Sequence, residues 1–394
     1  MLASTLTVMS GATIGPVLPL MSEVFADTPN AAFLTRLILT MPALFIVLFS
    51  TLCGYLVDRH GRKNILLMAT LLYGISGSAG LWLDSLTAIL ISRAMLGMSV
   101  AGVMTVCITL IGDYYSGDER QYFAGLQSAF MAFGGVVFIS ASGVLADISW
   151  RAPFLIYTMA FLLLPAIALI ITEPPVNRGS DSEPPEPRGT PDTSPPPSPT
   201  SFPKGIITLI IGSAFAGMAI FYMIPVHMPF FINSFGDVSN TAIGFALASF
   251  VLTGAIVALN YQRFLVRMSY ASIYLLCFFL LGTGYILISF AGSYHEIFAG
   301  MVLGGFGSGL LMPNSNVWML SEAPAHLRGR LSGTLTSAVF LGQFLSPILT
   351  QPMVDATSID TGFLIIGLTV ASAALLVTIG YLVYTSIRSR IRPR

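Results

Sequence analysis

Apolar runs of about 20 residues, the length a helix needs to cross the hydrocarbon core of a bilayer, recur along nearly the whole of this 394-residue chain. No water inside that core can serve an exposed backbone group, so such a chain folds either as helices that satisfy their own amides or as a closed barrel. The runs lack the period-two alternation of barrel strands, which leaves an all-α integral membrane protein. Composition agrees. Hydrophobic residues make up 55% and charged residues 9%, against about 25% charged in soluble domains, and mean hydropathy is +0.81. Twelve transmembrane helices are predicted, at 2–21, 33–57, 63–82, 86–112, 121–145, 151–171, 205–232, 241–262, 270–290, 295–320, 329–352 and 361–386. The first has no basic n-region and is needed for an even count, so it is read as a spanning helix with a short cytoplasmic end, not as a leader.

The 18 Lys and Arg balance the 18 Asp and Glu, so net charge says nothing of partners, but placement does. All the basic residues except Arg36, Arg93 and Arg151 fall in alternate connections or at the C-terminus. By the positive-inside tendency this places those connections and both termini in the cytoplasm. Residues 173–204 are dense in Pro, Ser, Asp and Glu and cannot bury enough apolar surface to fold. They are predicted to be a disordered cytoplasmic linker between an N-terminal six-helix bundle, 1–172, and a C-terminal one, 205–394, with a short basic tail. The halves repeat at an offset of about 204 to 209 residues. Asp113, Arg120 and Gly125 recur as Glu322, Arg328 and Gly333, while Asp147 and Phe154 recur as Asp355 and Phe363. Arg59 and Lys63 recur as Arg263 and Arg267, but Gln262 stands where the first half has Asp58.

Between the second and third runs lies Gly54-Tyr55-Leu56-Val57-Asp58-Arg59-His60-Gly61-Arg62-Lys63, the pattern G-x-x-x-D-R-x-G-R-K. It resembles the loop between helices 2 and 3 of the major facilitator superfamily, whose members are twelve-helix secondary transporters. The resemblance implies the major facilitator fold, two six-helix pseudo-repeat bundles with a substrate site near the midplane between them. It also implies a cytoplasmic gating latch. Asp58 would sit against the amino end of helix 11 near Gly329, where the helix dipole favours an anion, and Arg62 would pair with Asp113. Gly54 and Gly61 would permit close approach and a tight turn. Arg59, Arg62 and Lys63 have a second reading, in which they simply hold the loop on the cytoplasmic side.

Helix 4 carries Arg93-Ala94-Met95-Leu96-Gly97-Met98-Ser99-Val100-Ala101, similar to the family pattern R-x-x-x-G-x-G-x-A with Ser99 for the second glycine. An arginine this deep costs at least about 2.5 kcal/mol unless it faces water or a partner. It is therefore expected to point into the cavity, or else to snorkel to the outer interface beside Asp84. Gly15-Pro16-Val17-Leu18-Pro19 in helix 1 and Tyr222-Met223-Ile224-Pro225-Val226-His227-Met228-Pro229 in helix 7 place prolines inside spanning helices, where they bend the backbone. Both segments look like those of the bacterial drug-efflux branch. Tyr222 and His227 thereby join the candidate cavity, and His227 is either a proton site or a neutral hydrogen-bonding group. Gln127, Asn314, Asn316 and Gln343 either line the cavity or cement helix contacts. The Gly-rich run Gly304-Gly305-Phe306-Gly307-Ser308-Gly309 of helix 10 is expected to pack closely against a neighbour or to slide. Against these likenesses, helix 5 keeps two of the five positions of the antiporter pattern G-x-x-x-G-P-x-x-G-G, and no acid lies deep in a helix.

Cys53, Cys107 and Cys277 lie in or at the edges of apolar runs and read as packing residues, with no disulfide and no metal site. The chain has no phosphate loop, nucleophile elbow or nucleic-acid module, so neither an enzyme nor a cofactor is expected. The expected function is secondary active export of a small lipophilic or amphipathic molecule by alternating access, with proton antiport as its coupling. An importer or facilitator of a small metabolite is the alternative among transporters; a non-transporting sensor or scaffold is the alternative of another class. The expected partners are a small-molecule substrate, the lipid bilayer and protons, with no nucleic acid, for a monomer in the bacterial inner membrane.

Overall fold

A computed structural model describes residues 1–173, 204–236 and 238–391. All of the predicted linker except Glu173 and Lys204 lies outside the described residues, as does the end of the basic tail. Twelve spanning helices follow in order: α1 Leu2–Val24, α2 Ala31–His60, α3 Arg62–Leu81, α4 Leu86–Tyr114, α5 Gly117–Ala146, α6 Ala152–Ile170, α7 Lys204–Asn233, α8 Asn240–Leu259, α9 Tyr270–Ser289, α10 Ile297–Glu322, α11 Arg328–Ala356 and α12 Ile359–Ile391. Among the described residues there is no strand. Several helices run a turn past the hydropathy boundaries, because the polar residues of their last turns still complete backbone bonds outside the apolar zone.

Polar side chains inside the spans are mostly satisfied by their own helix. Thr35 donates to the Ala31 carbonyl at 2.7 Å, Ser78 to Gly74 at 2.6 Å and Thr105 to Ala101 at 2.7 Å. Such back-bonding lets a hydroxyl sit in hydrocarbon without an outside partner. Ser239 and Ser269 cap α8 and α9 by accepting from the amides of Ala242 and Ser272. Gly61, at φ +87°, ends α2 abruptly in a conformation that other residues rarely adopt.

Two helices are jointed. α1 is split into Leu2–Ala12 and Leu18–Val24 around a tight turn at Gly15–Val17, beside Pro16 and Pro19. α7 breaks at Tyr222, between Lys204–Phe221 and Met223–Asn233, three residues before Pro225. Each proline lacks an amide donor and clashes with the carbonyl four residues back. The joints face each other, since a Cβ on Gly15 would lie 3.6 Å from the Pro225 carbonyl oxygen and one on Gly11 would lie 2.7 Å from the Tyr222 hydroxyl.

Within each bundle, glycines set the closest crossings, as small residues do where helices pack in lipid. Gly97 of α4 meets the Pro42 carbonyl of α2, and a Cβ on Gly305 of α10 would sit 2.6 Å from the Phe250 carbonyl of α8. These two contacts fall at the offset that relates the polar corners of the two halves. The Gly-rich face of α10 also meets α9, where a Cβ on Gly307 would lie 2.6 Å from the Cys277 carbonyl. Cys277 is buried there, and none of the three cysteines is in a disulfide. Gly305→Val should therefore cost about 1–3 kcal/mol by overpacking and lower the melting temperature of the purified protein. Gly212→Ala, at a position with nothing within 4 Å of its Cβ, should leave it unchanged.

Candidate functional site

The two bundles meet at one end of the molecule and part at the other. At the end opposite the basic connections, α5 crosses α8 so closely that a Cβ on Gly143 would lie 2.6 Å from the Asn240 carbonyl. Just past α5, the Asp147 carboxylate sits on the amino end of α8. Its Oδ1 accepts from the Asn240 amide at 2.7 Å and from Asn240 Nδ2 at 3.0 Å, and its Oδ2 accepts from the Thr241 amide at 3.1 Å and hydroxyl at 2.5 Å. This is helix capping by a residue of the other half, favoured by the unpaired amides and dipole of the helix start. Partial burial alone would push the Asp147 pKa up, but the bonds from Thr241 and Asn240 together outweigh it and hold the carboxyl below its ordinary value. Beside this contact, Arg36 of α2 is 5% exposed and lies 4.1 Å over the Phe230 ring of α7, a cation–π pair shielded from water.

At the basic end the picture reverses. Arg62 Nε lies 2.9 Å from Asp113 Oδ2, joining the α2–α3 turn to the end of α4. Glu173, just past α6, accepts from the amides of Arg62 at 2.6 Å and Lys63 at 2.8 Å. It thus caps the start of α3 and fills the space beside Gly61, where a Cβ would lie 2.7 Å from Glu173 Oε1. Arg59 donates to the Tyr55 hydroxyl at 3.2 Å. All these contacts stay within the first bundle. Asp58 is exposed and makes no hydrogen bond or ion pair among the described residues, while a Cβ at Gly54, Gly329 or Gly333 would meet nothing within 4 Å. The contact expected between Asp58 and the start of α11 is not made in this conformation, because the halves are splayed at this end.

The remaining candidates, Asn316 apart, divide between the joint and the bundle interiors. Tyr222 and Gln343 are both at the joint, where the Gln343 side-chain nitrogen would lie 3.4 Å, and the Tyr222 hydroxyl 2.7 Å, from a Cβ on Gly11. Gln127 donates to the Ser4 hydroxyl at 2.8 Å and ties α5 to α1. His227 is buried and its Nε2 is 2.7 Å from the Thr350 hydroxyl of α11, with no partner for Nδ1. Asn316 is exposed. Asn314 takes the second of its two expected roles, cementing helix contacts: it accepts from the Tyr261 hydroxyl and donates to the Tyr270 carbonyl, both at 3.0 Å, fastening α10 to the α8–α9 connection. One expectation needs correction.

Arg93 neither faces a cavity nor snorkels. It is 0% exposed inside the first bundle, donating at 2.5 Å to the Gly77 carbonyl at the end of α3. Its guanidinium lies 5.0 Å from the Phe154 ring centre and 4.9 Å from that of Tyr157. The negative end of a helix dipole and two aromatic faces stand in for a carboxylate, although Nε and Nη1 have no partner among the described residues. Asp84, the anchor expected for snorkelling, pairs instead with Arg151.

Sequence reading misses Glu173, since a capping carboxylate 111 residues from its partner leaves no periodic mark. Charge-assisted hydrogen bonds contribute about 1.5–3 kcal/mol each when shielded, and less at this exposed position. Glu173→Ala should therefore speed hydrogen exchange at the Arg62 and Lys63 amides several-fold without altering exchange at α8.

No cluster of three metal-ligating side chains occurs among the described residues. In comparisons with known proteins, the profile of the Major Facilitator Superfamily matches residues 1–237 and 209–393. The bacillibactin exporter of Bacillus subtilis is 32% identical over 146 residues, 35% of this chain and 36% of its own length. The matched part thus spans only about a third of that relative. The class G tetracycline resistance protein of Vibrio anguillarum is 25% identical over 88% of this chain and 86% of its own. Among solved structures, a D-xylose-proton symporter superposes with TM-score 0.71 at 17% identity, covering 95% of this chain and 94% of the other. A bacterial homologue of the human lysosomal transporter Spinster superposes with TM-score 0.72 at 14% identity, covering 99% and 95%. With its twelve spans, its two jointed bundles and a family match across nearly the whole sequence, this chain belongs to the Major Facilitator Superfamily and is a membrane transporter.

Proposed function

We infer that the protein exports a small lipophilic or amphipathic molecule across the bacterial inner membrane by alternating access, with proton antiport as its coupling. The observation that carries this reading is the one-sided contact between the bundles: closed by Asp147 and the Gly143 crossing at one end, separated around Asp58 and Gly329 at the other. With the basic end in the cytoplasm, the conformation is inward-open, and the Asp58 latch would form when the opposite end opens. Tyr222 and Gln343 offer polar contacts at the joint. Next to the joint Phe221, Leu247 and Val251 border a small apolar cavity of about 30 Å³, room for about two waters in this conformation, and its apolar walls suit the lipophilic part of a substrate once it widens. The export direction draws support from the bacillibactin exporter among the relatives.

Everted vesicles test the whole reading. A lipophilic cationic dye should accumulate inside while internal pH rises, and dissipating the pH gradient should stop both. Dye leaving the vesicles would indicate import, uptake with no pH response a facilitator, and no flux at all a scaffold.

The gate has its own tests. Spin labels at Glu119 and Arg330, on facing ends of α5 and α11, should report a long distance in the resting protein. Asp147→Ala removes a contact of about 1 kcal/mol at an exposed site, so the short-distance population should grow about fivefold. Asp58→Asn should leave the long-distance population intact, because that side chain is unengaged here, yet slow turnover by weakening the other state. The Asp147 carboxyl is held below its ordinary value, so the bond it makes is at full strength above that value and is lost only as external pH falls through the depressed one. Its contribution to the spin-label distances should accordingly be flat between pH 5 and 8.

A further inference from the structure

On the outer surface of the second bundle, away from the space between the halves, a cleft of about 520 Å³ opens between α8 and α10 at the basic end. Its walls are apolar, from Ile256 and Val257 of α8, Phe306 of α10 and Phe264 of the connecting turn, and its mouth carries Arg263 and Arg267. Both arginines are exposed, and neither forms an ion pair among the described residues. At Phe306 the cleft runs on into a second hollow of about 470 Å³ along the same face of α10, bordered by Val302, Ala299 and Phe298. From Phe298 to Phe306 this groove extends about 12 Å along the helix axis. Val302 is 47% exposed there, as a lipid-facing residue is.

The repeat makes the cleft more telling. In the first half the equivalent loop carries acids among its cations, Asp113 paired with Arg62 and Glu173 capping the Arg62 and Lys63 amides, while Arg59 and Lys63, the counterparts of Arg263 and Arg267, form no ion pair among the described residues. In the second half Gln262 replaces the loop acid, and Glu322, the counterpart of Asp113, takes the Trp318 indole at 3.3 Å instead. Two cations are thus left at the mouth of an apolar groove, at the level where lipid phosphates lie. The geometry points to a binding site for one anionic phospholipid of the basic-side leaflet, its phosphate between Arg263 and Arg267 and one acyl chain in the cleft against Ile256, Val257, Phe264 and Phe306. Arg–phosphate pairing supplies the charge selectivity, and the apolar channel distinguishes a lipid from a free phosphate. The assignment is independent of transport direction and substrate.

Native mass spectrometry of the full chain in detergent, titrated with phosphatidylglycerol, tests it. The wild type should retain one phosphatidylglycerol that Arg263→Gln/Arg267→Gln binds at least about tenfold more weakly, from about 1 kcal/mol per basic residue near a membrane surface. Arg330→Gln, at the same end but outside the cleft, should bind as the wild type does, and Arg263→Lys/Arg267→Lys should recover most of the loss. Ile256→Trp, which fills the cleft without changing charge, should also weaken retention. Circular dichroism and elution volume confirm that each variant is folded. Equal retention by the Gln double variant, equal retention of phosphatidylcholine, or full competition by glycerol 1-phosphate would each overturn the assignment, the last in favour of a free phosphate ligand.

Discussion

A carboxylate resting on the first amides of a helix can be made and broken without unfolding anything, and Asp147 makes this contact between the two bundles. The remaining features at that end serve it. Glycines at 143 and 244 bring α5 and α8 near enough for a short side chain to reach, and Arg36 seals the neighbouring α2–α7 seam by lying flat on Phe230. None of these contacts is strong in isolation. A transporter that must leave each state is best served by an interface of that kind, since a deep well at either end would trap it.

Asp58 and Asp147 then form a matched pair under the proposed cycle. Each is the acid at the end of a helix in the first half, and each has a helix start of the second half as its partner, α11 for one and α8 for the other. They lie at opposite ends of the bundle, and in this conformation one is engaged while the other is exposed. Because both partners belong to one compact bundle, rocking that bundle as a whole closes one contact while it opens the other. The basic loop around Asp58 is meanwhile kept in shape by Arg62–Asp113 and the Glu173 cap, so the free carboxylate stays presented.

What could be read from the residues follows from how local each effect is. The twelve spans come from apolar length alone, and the prolines at 16, 19 and 225 announce the joints because proline acts on its own backbone. Arg93 is different. The residue type says that a buried charge needs compensation, but the compensation, the Gly77 carbonyl and the rings of Phe154 and Tyr157, is assembled by packing of α3, α4 and α6. Nothing in the local sequence points to it. For Asn314 the residue type leaves cavity lining and helix contact equally open, and only the approach of Tyr261 and Tyr270 decides for the contact. Glu173 and Asp147 are ordinary surface acids by sequence, and only the approach of a helix start gives them work.

The joints in α1 and α7 carry a last consequence. Each divides its helix into a limb on the sealed side and a limb on the open side, and at the divide the two chains touch through Gly11, Gly15, Tyr222 and Pro225. A rod would have to tilt as a whole to change the width of one mouth, disturbing the other by leverage. A hinged limb can swing about its elbow while its far half stays moored. Under the proposed cycle such limbs allow both mouths to pinch shut at once around a captive molecule, an intermediate that two stiff bundles pivoting on a fulcrum could not reach.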